Sequence, residues 1–262
     1  RSVTNENYTV IDITEKHKPK VIGEVDRPSA PMLIHPEAIY FHDGKPYQVI
    51  ELDTKGMRCY VKQVTVDYYT DADLAVRLQV LDVFKEEDHW GLGEVLLSFS
   101  PTVYKKIKLM THENVGYGQI HMDEEEMHTT ACWLKLESQY TEALGEENLS
   151  SGLLGVSHLF RVIAPLFLMC DRGDISVHRM VRDPMFEKPV IYIADSVPGG
   201  VGLAEGAFAL RQKLIQAALE AIESCPCEDG CPACTGALGA DMKAKKPTKT
   251  LLKILRSQVA VK

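Results

Sequence analysis

Cys225, Cys227, Cys231 and Cys234 fall within one short run, Cys-Pro-Cys-Glu-Asp-Gly-Cys-Pro-Ala-Cys, near the end of the chain. A tetrahedral zinc ion takes four donors, at about 2.3 Å when they are thiolates, and one tight loop can supply all of them. Gly230 allows the reversal between the two pairs because it has no Cβ. Pro226 and Pro232 fix φ inside each pair and reduce the entropy lost when the loop closes. Disulfides, a C-x-x-C redox couple and an iron–sulfur cluster also use such cysteines. Disulfides need an oxidising compartment, and the sequence shows no secretory pattern. A redox pair usually opens a helix after a strand, whereas this loop follows a long helical pattern. The common ferredoxin spacings differ. Zinc (Zn2+) is the cofactor the spacing favours. Four sulfurs leave no position for a catalytic water, so the expected role is architectural.

Two further groups could hold an anion. Val190–Ala194 reads as a buried strand leading into Asp195-Ser196-Val197-Pro198-Gly199-Gly200-Val201-Gly202, with a helix expected from about Leu203 to Ser224. Strand, glycine turn and helix can present N–H groups to an anion, which makes Gly199 and Gly200 candidates; a tight turn needs glycine anyway. His158 and Arg161 lie three apart on an apolar helix and could bind phosphate or carboxylate, or form an ordinary satisfied pair with Asp171 or Asp174. Residues 241–262 carry seven Lys/Arg against one Asp, so the formal net charge of −8 leaves −14 on the rest. Lys243, Lys245, Lys246 and Lys249 are the candidate nucleic-acid contacts; Leu251, Leu252, Ile254 and Leu255 among them suggest an amphipathic helix with a solvated basic face. No P-loop, DEAD/DEAH box, G-x-S-x-G elbow or H-E-x-x-H motif is present, so the chain carries none of those catalytic routes.

The elements that must position these groups differ between the two halves. Residues 1–110 read as short strands separated by turn signals, with His42-Asp43-Gly44-Lys45 a hairpin turn. Residues 114–136 read as a further hairpin. Leu153, Val156, Leu159, Phe160, Ile163, Leu166 and Phe167 recur at helical intervals and mark a core helix over Leu153–Met169, kinked at Pro165. The expected class is α+β: a small antiparallel β-barrel-like part over 1–112, then an α/β zinc-binding domain over 113–262. No apolar run reaches the roughly 20 residues a membrane helix requires, so no membrane partner is expected. Cytoplasmic residence follows as an expectation from the unpaired-cysteine reading. A start at Arg1 rather than Met suggests a piece of a larger protein.

Four stretches together carry a family resemblance: Met127-His128-Thr129-Thr130-Ala131; Leu154-Gly155-Val156-Ser157-His158-Leu159 leading to Met169-Cys170-Asp171-Arg172-Gly173-Asp174; Ile191-Tyr192-Ile193-Ala194-Asp195 with Pro198-Gly199-Gly200-Val201-Gly202-Leu203-Ala204-Glu205; and the cysteine run. In this order the chain resembles the C-terminal zinc-binding (MZB) region of MrfA-type superfamily 2 DNA repair helicases. The resemblance departs at Val197, where the family has an aromatic residue. It implies an accessory part of an ATP-dependent DNA helicase, with motor domains upstream as partners in the same chain, single-stranded DNA as ligand, and zinc on Cys225, Cys227, Cys231 and Cys234. The alternative is an interaction module that docks onto the motor without touching DNA.

Overall fold

A computed structural model describes residues 6–137, 140, 142, 144–236 and 243–257. The architecture is α+β with two sheets. The first sheet has the order β2-β1-β5-β4-β3, built from Asn7–Asp12 (β1), Lys20–Asp26 (β2), Ile39–His42 (β3), Lys45–Asp53 (β4) and Arg58–Gln63 (β5). It curls into a half-barrel. All its pairs are antiparallel except β1 with β5, which are parallel. The turn expected at Asp43-Gly44 joins β3 to β4, with His42 opposite Lys45; both turn residues have positive φ, 49° and 72°, as a two-residue hairpin demands.

The second sheet has the order β10-β11-β9-β7-β6, with β8 also on β7. Its strands are Tyr68–Glu87 (β6), Trp90–Lys108 (β7), Asn114–Gln119 (β8), Glu125–Lys135 (β9), Ile175–Met180 (β10) and Val190–Asp195 (β11). Two expectations change here. The segments expected as separate strands over 91–110 are one long strand, which continues through Pro101. The hairpin expected over 114–136 does not form, since β8 and β9 each neighbour β7 rather than one another. Compact units divide the chain as 6–77 with 98–126, and 78–97 with 127–257, among the described residues. The division therefore differs from a single cut at 112: the chain changes unit inside β6, β7 and β9.

The first unit buries Tyr8, Val10, Ile34, Val49, Cys59 and Val61. The second packs its helices on one face of the sheet. Register sets which residues face them: Cys132 and Leu134 on β9, Ile191 and Ile193 on β11, Ile175 and Val177 on β10. The alternate residues Trp133, Tyr192 and His178 form a cross-strand row on the opposite face.

The core helix runs Glu146–Leu168, beginning earlier than its apolar period suggests. Pro165 sits in its last turn, and its carbonyl accepts the N–H groups of Met169 and Cys170. Leu153, Val156, Leu159 and Phe160 are buried, but Leu166 is 74% exposed, so the final turn leaves the core. Contrary to the expectation from apolar runs, Asn148–Leu168 is long and apolar enough to cross a membrane by length and composition; most of it is buried inside the protein. The helix expected over 203–224 is two, Leu203–Ala209 and Arg211–Ser224. At the break, Arg211 Nη1 donates to the carbonyl of Phe208 at 2.8 Å.

The C-terminal helix, Lys245–Ser257, is amphipathic as expected, burying Leu251, Leu252 and Leu255. It lies directly against the core helix where that helix carries Gly152 and Gly155. A Cβ on Gly155 would meet Thr248 Oγ1 at 2.0 Å and its Cβ at 2.9 Å. Thr248 cannot retreat: it is fully buried and its hydroxyl donates to the Ala244 carbonyl at 2.7 Å. Gly155→Ala gains helix propensity of about 1 kcal/mol but forces the helices apart, a cost of about 1–3 kcal/mol. Net destabilisation of up to about 2 kcal/mol is expected in urea unfolding, whereas Gly173→Ala, with nothing within 4 Å, should stay within about 0.5 kcal/mol.

Candidate metal centre

The Arg211–Ser224 helix ends on Cys225, whose backbone is extended (φ −69°, ψ 127°), and delivers the chain into the cysteine loop. Gly230 adopts φ 128°, a conformation closed to other residues without strain, in keeping with the reversal expected there. A turn then closes Cys231–Cys234, with the Cys231 carbonyl accepting the N–H groups of Cys234 (3.1 Å) and Thr235 (3.0 Å).

These turns bring all four sulfurs together. Cys225 Sγ lies 3.5 Å from Cys227 and from Cys231; Cys234 lies 3.5 Å from Cys227 and 3.7 Å from Cys231. All four are within 4.8 Å of one another, and none is in a disulfide. Four sulfurs at about 2.3 Å from a tetrahedral centre stand about 3.8 Å apart, so the donor set fits one zinc ion. The thiols alone are ill-matched. Burial pushes Cys234 up to about 12 and raises Cys227, while the N–H groups of Cys234 and Ala233 hold Cys231 down at about 7. A bound divalent cation supplies the positive charge that lets all four ionise.

Two outer residues brace the loop, and neither has the role expected from sequence. Lys245 is not free for an outside phosphate. Its Nζ donates to the carbonyls of Cys225, at 2.6 Å, and Cys227, and its N–H donates to Asp229 O at 2.9 Å. Four thiolates around a divalent ion leave two negative charges in excess, and this ammonium sits beside them. His158, a candidate anion ligand, hydrogen-bonds through Nε2 to the Ala233 carbonyl at 3.2 Å. Its ring leaves room only for glycine at 236, where a Cβ would come within 3.1 Å of Nδ1. Arg161 is exposed on the same helix and does not join this contact. Lys243 pairs with Asp229 at 3.2 Å and Lys249 with Glu223 at 3.0 Å, while Lys246 is exposed. Residues 241, 242 and 258–262 of the basic tail lie outside the described residues.

The glycine turn does face an anion, but an internal one. Asp195 ends β11 with no exposure, and its carboxylate accepts from Val201 N (2.5 Å), Gly202 N (3.1 Å), Leu203 N (3.3 Å) and Ala204 N (2.7 Å). Gly199 N donates to His128 O and Gly200 N to Val197 O. No N–H of the candidate pair is left for an outside ligand. Gly200 is glycine because a Cβ would strike Thr130 Oγ1 at 2.3 Å and φ is +73°. Val197 acts through its carbonyl, which also accepts from Thr129 Oγ1 at 2.8 Å. An acidic residue at a strand end directly before a glycine turn was the signal for this arrangement.

Residues 156–235 match the family model described as the MrfA Zn-binding domain, a span that holds His158, Asp195 and all four cysteines. That match and a four-cysteine cluster able to hold a metal together support zinc as the cofactor. Across 96% of its length the chain is 43% identical to the ATP-dependent helicase YprA of Bacillus subtilis, and it is 22% identical to the ATP-dependent helicase HRQ1 of Saccharomyces cerevisiae over 90%. Among solved structures it resembles the DUF1998 helicase MrfA bound to DNA, with a TM-score of 0.74, 42% identity and 97% of the chain covered. The chain spans 34% of YprA, 24% of HRQ1 and 34% of that MrfA chain.

Lys245→Gln should weaken zinc retention by about tenfold in competition with a chromogenic chelator, since outer-shell partners of metal ligands commonly carry that much. Asp195→Asn replaces an acceptor-only carboxylate by an amide whose NH2 opposes the same N–H groups. Loss of about 3 kcal/mol in urea unfolding is expected.

Proposed function

We propose that the chain is a C-terminal accessory region of a cytoplasmic ATP-dependent DNA helicase, holding a structural zinc and guiding single-stranded DNA leaving the motor domains upstream. The observation that carries this reading is the four-sulfur cluster inside the matched zinc-binding domain, in a chain that aligns over nearly its whole length with an ATP-dependent helicase. The zinc site closes the end of the Arg211–Ser224 helix and, through Lys245, the start of the C-terminal helix. Hydrolysis of nucleotide belongs to the motor, since this chain has no P-loop.

A second reading is favoured by charge. The residues outside 241–262 carry −14, and Lys243 and Lys249 face carboxylates of their own chain. On that reading the region docks onto the motor without touching DNA. Exposed ion pairs of this kind are weak and can be exchanged for phosphates, so Lys243, Lys246 and Lys249 remain the proposed C-terminal contacts.

Fluorescence anisotropy with labelled single-stranded DNA separates the two. The zinc-loaded protein should bind, with affinity falling as salt rises. Lys243→Ala, Lys246→Ala and Lys249→Ala together should lower the salt slope, by about 1 for each phosphate no longer neutralised. Cys231→Ser should be metal-poor by elemental analysis, heat-labile, and lose binding. A wild-type protein with no measurable affinity would favour the docking role.

A further inference from the structure

We propose that Arg161, Arg179 and Arg182 form a phosphate-gripping margin on the second unit, along which a nucleic-acid backbone runs beside β10. This rests on the DNA-guiding reading above and names a part of the surface that performs it. The strand is at the end of its sheet: among the described residues β10 pairs with β11 alone, and its other side is an open edge. The core helix, which carries Arg161, packs on β10. The Arg161 charge reaches His178, whose imidazole is held down at about 4, first by burial and then by that guanidinium.

Arg161, Arg179 and Arg182 are all exposed. Among the described residues none pairs with a carboxylate, whereas Arg27, Arg211, Lys243 and Lys249 all do. The acid next to Arg182 in sequence is turned inward. Asp183 is buried, accepting from Tyr192 OH at 2.7 Å and from the N–H groups of Met185 and Phe186. Asp174 accepts from Asp171 N at 2.8 Å. Arg179 has surface area open to solvent, yet partial loss of water around its guanidinium holds it below the ordinary arginine range, with no anion to offset the cost. A cation in that condition gains when an anion arrives. The guanidinium fork matches phosphate oxygens in pairs, which an ammonium cannot do.

The test is a salt series of anisotropy titrations using the zinc-loaded protein, a labelled single-stranded oligonucleotide and its duplex. Arg161→Gln/Arg179→Gln/Arg182→Gln should weaken binding at least roughly tenfold at low salt. It should also reduce the slope of log Kd against log salt by about 2, at about 0.7 for each single-strand phosphate contact. The double variant Arg161→Gln/Arg182→Gln spares the partly shielded Arg179 and should reduce the slope by about 1.4; it decides the matter should the triple variant fold poorly. Zinc content and thermal midpoint serve as controls. Weaker binding to either oligonucleotide supports the margin. Folded, zinc-loaded variants that keep the wild-type slope on both overturn it while leaving the DNA-guiding reading intact. A wild-type protein that binds neither oligonucleotide overturns both.

Discussion

Four thiolates crowded within 4.8 Å of one another repel, and only a cation held among them makes the arrangement stable. The C-terminal third is organised around that requirement. A helix must stop at Cys225, a glycine must reverse the chain at 230, and a turn must close on Cys234. The braces come from elements distant in sequence: His158 from the middle of the core helix and Lys245 from the first residue of the last helix. Zinc therefore joins three helices that otherwise meet through apolar contact and the ion pair of Lys249 with Glu223.

The second polar anchor works with the opposite sign. Asp195 is an anion enclosed by the N–H groups that open the Leu203–Ala209 helix. Charge at a helix start is favourable, and here the protein provides it internally. The loop that looks most like a phosphate cradle is thereby closed to external polyanions. Whatever nucleic acid the chain meets must be held by side chains elsewhere, which turns attention from the glycine loop to the arginines on the sheet margin.

Much of this was legible in the residues. The cysteine spacing located the metal centre, and Asp43-Gly44 located a hairpin, because both signals depend only on neighbours in the chain. The buried strand Val190–Asp195 and the amphipathic last helix were legible for the same reason. What escaped were contacts set by long-range pairing. Nothing near Lys245 says that its ammonium will cap carbonyls 18 and 20 residues earlier, so it reads as one lysine among several. His158 looked like an anion ligand because its partner, the Ala233 carbonyl, is invisible in sequence. The strand pairing of β8 and β9 was misjudged because local alternation reports a strand without reporting its neighbour. Gly152 and Gly155 did hold a usable sign: two glycines three apart in an otherwise apolar helix mark a face where another backbone comes close.

The position of Lys245 along the chain has a consequence for biosynthesis. A ribosome makes all four cysteines before it makes the residue that neutralises and ties their loop. The nascent protein passes through an interval in which metal can enter but is only loosely kept. Premature termination between Thr235 and Ala244 would yield a product with a complete set of sulfur ligands and a leaky ion, a defect that an inspection of cysteines alone would overlook.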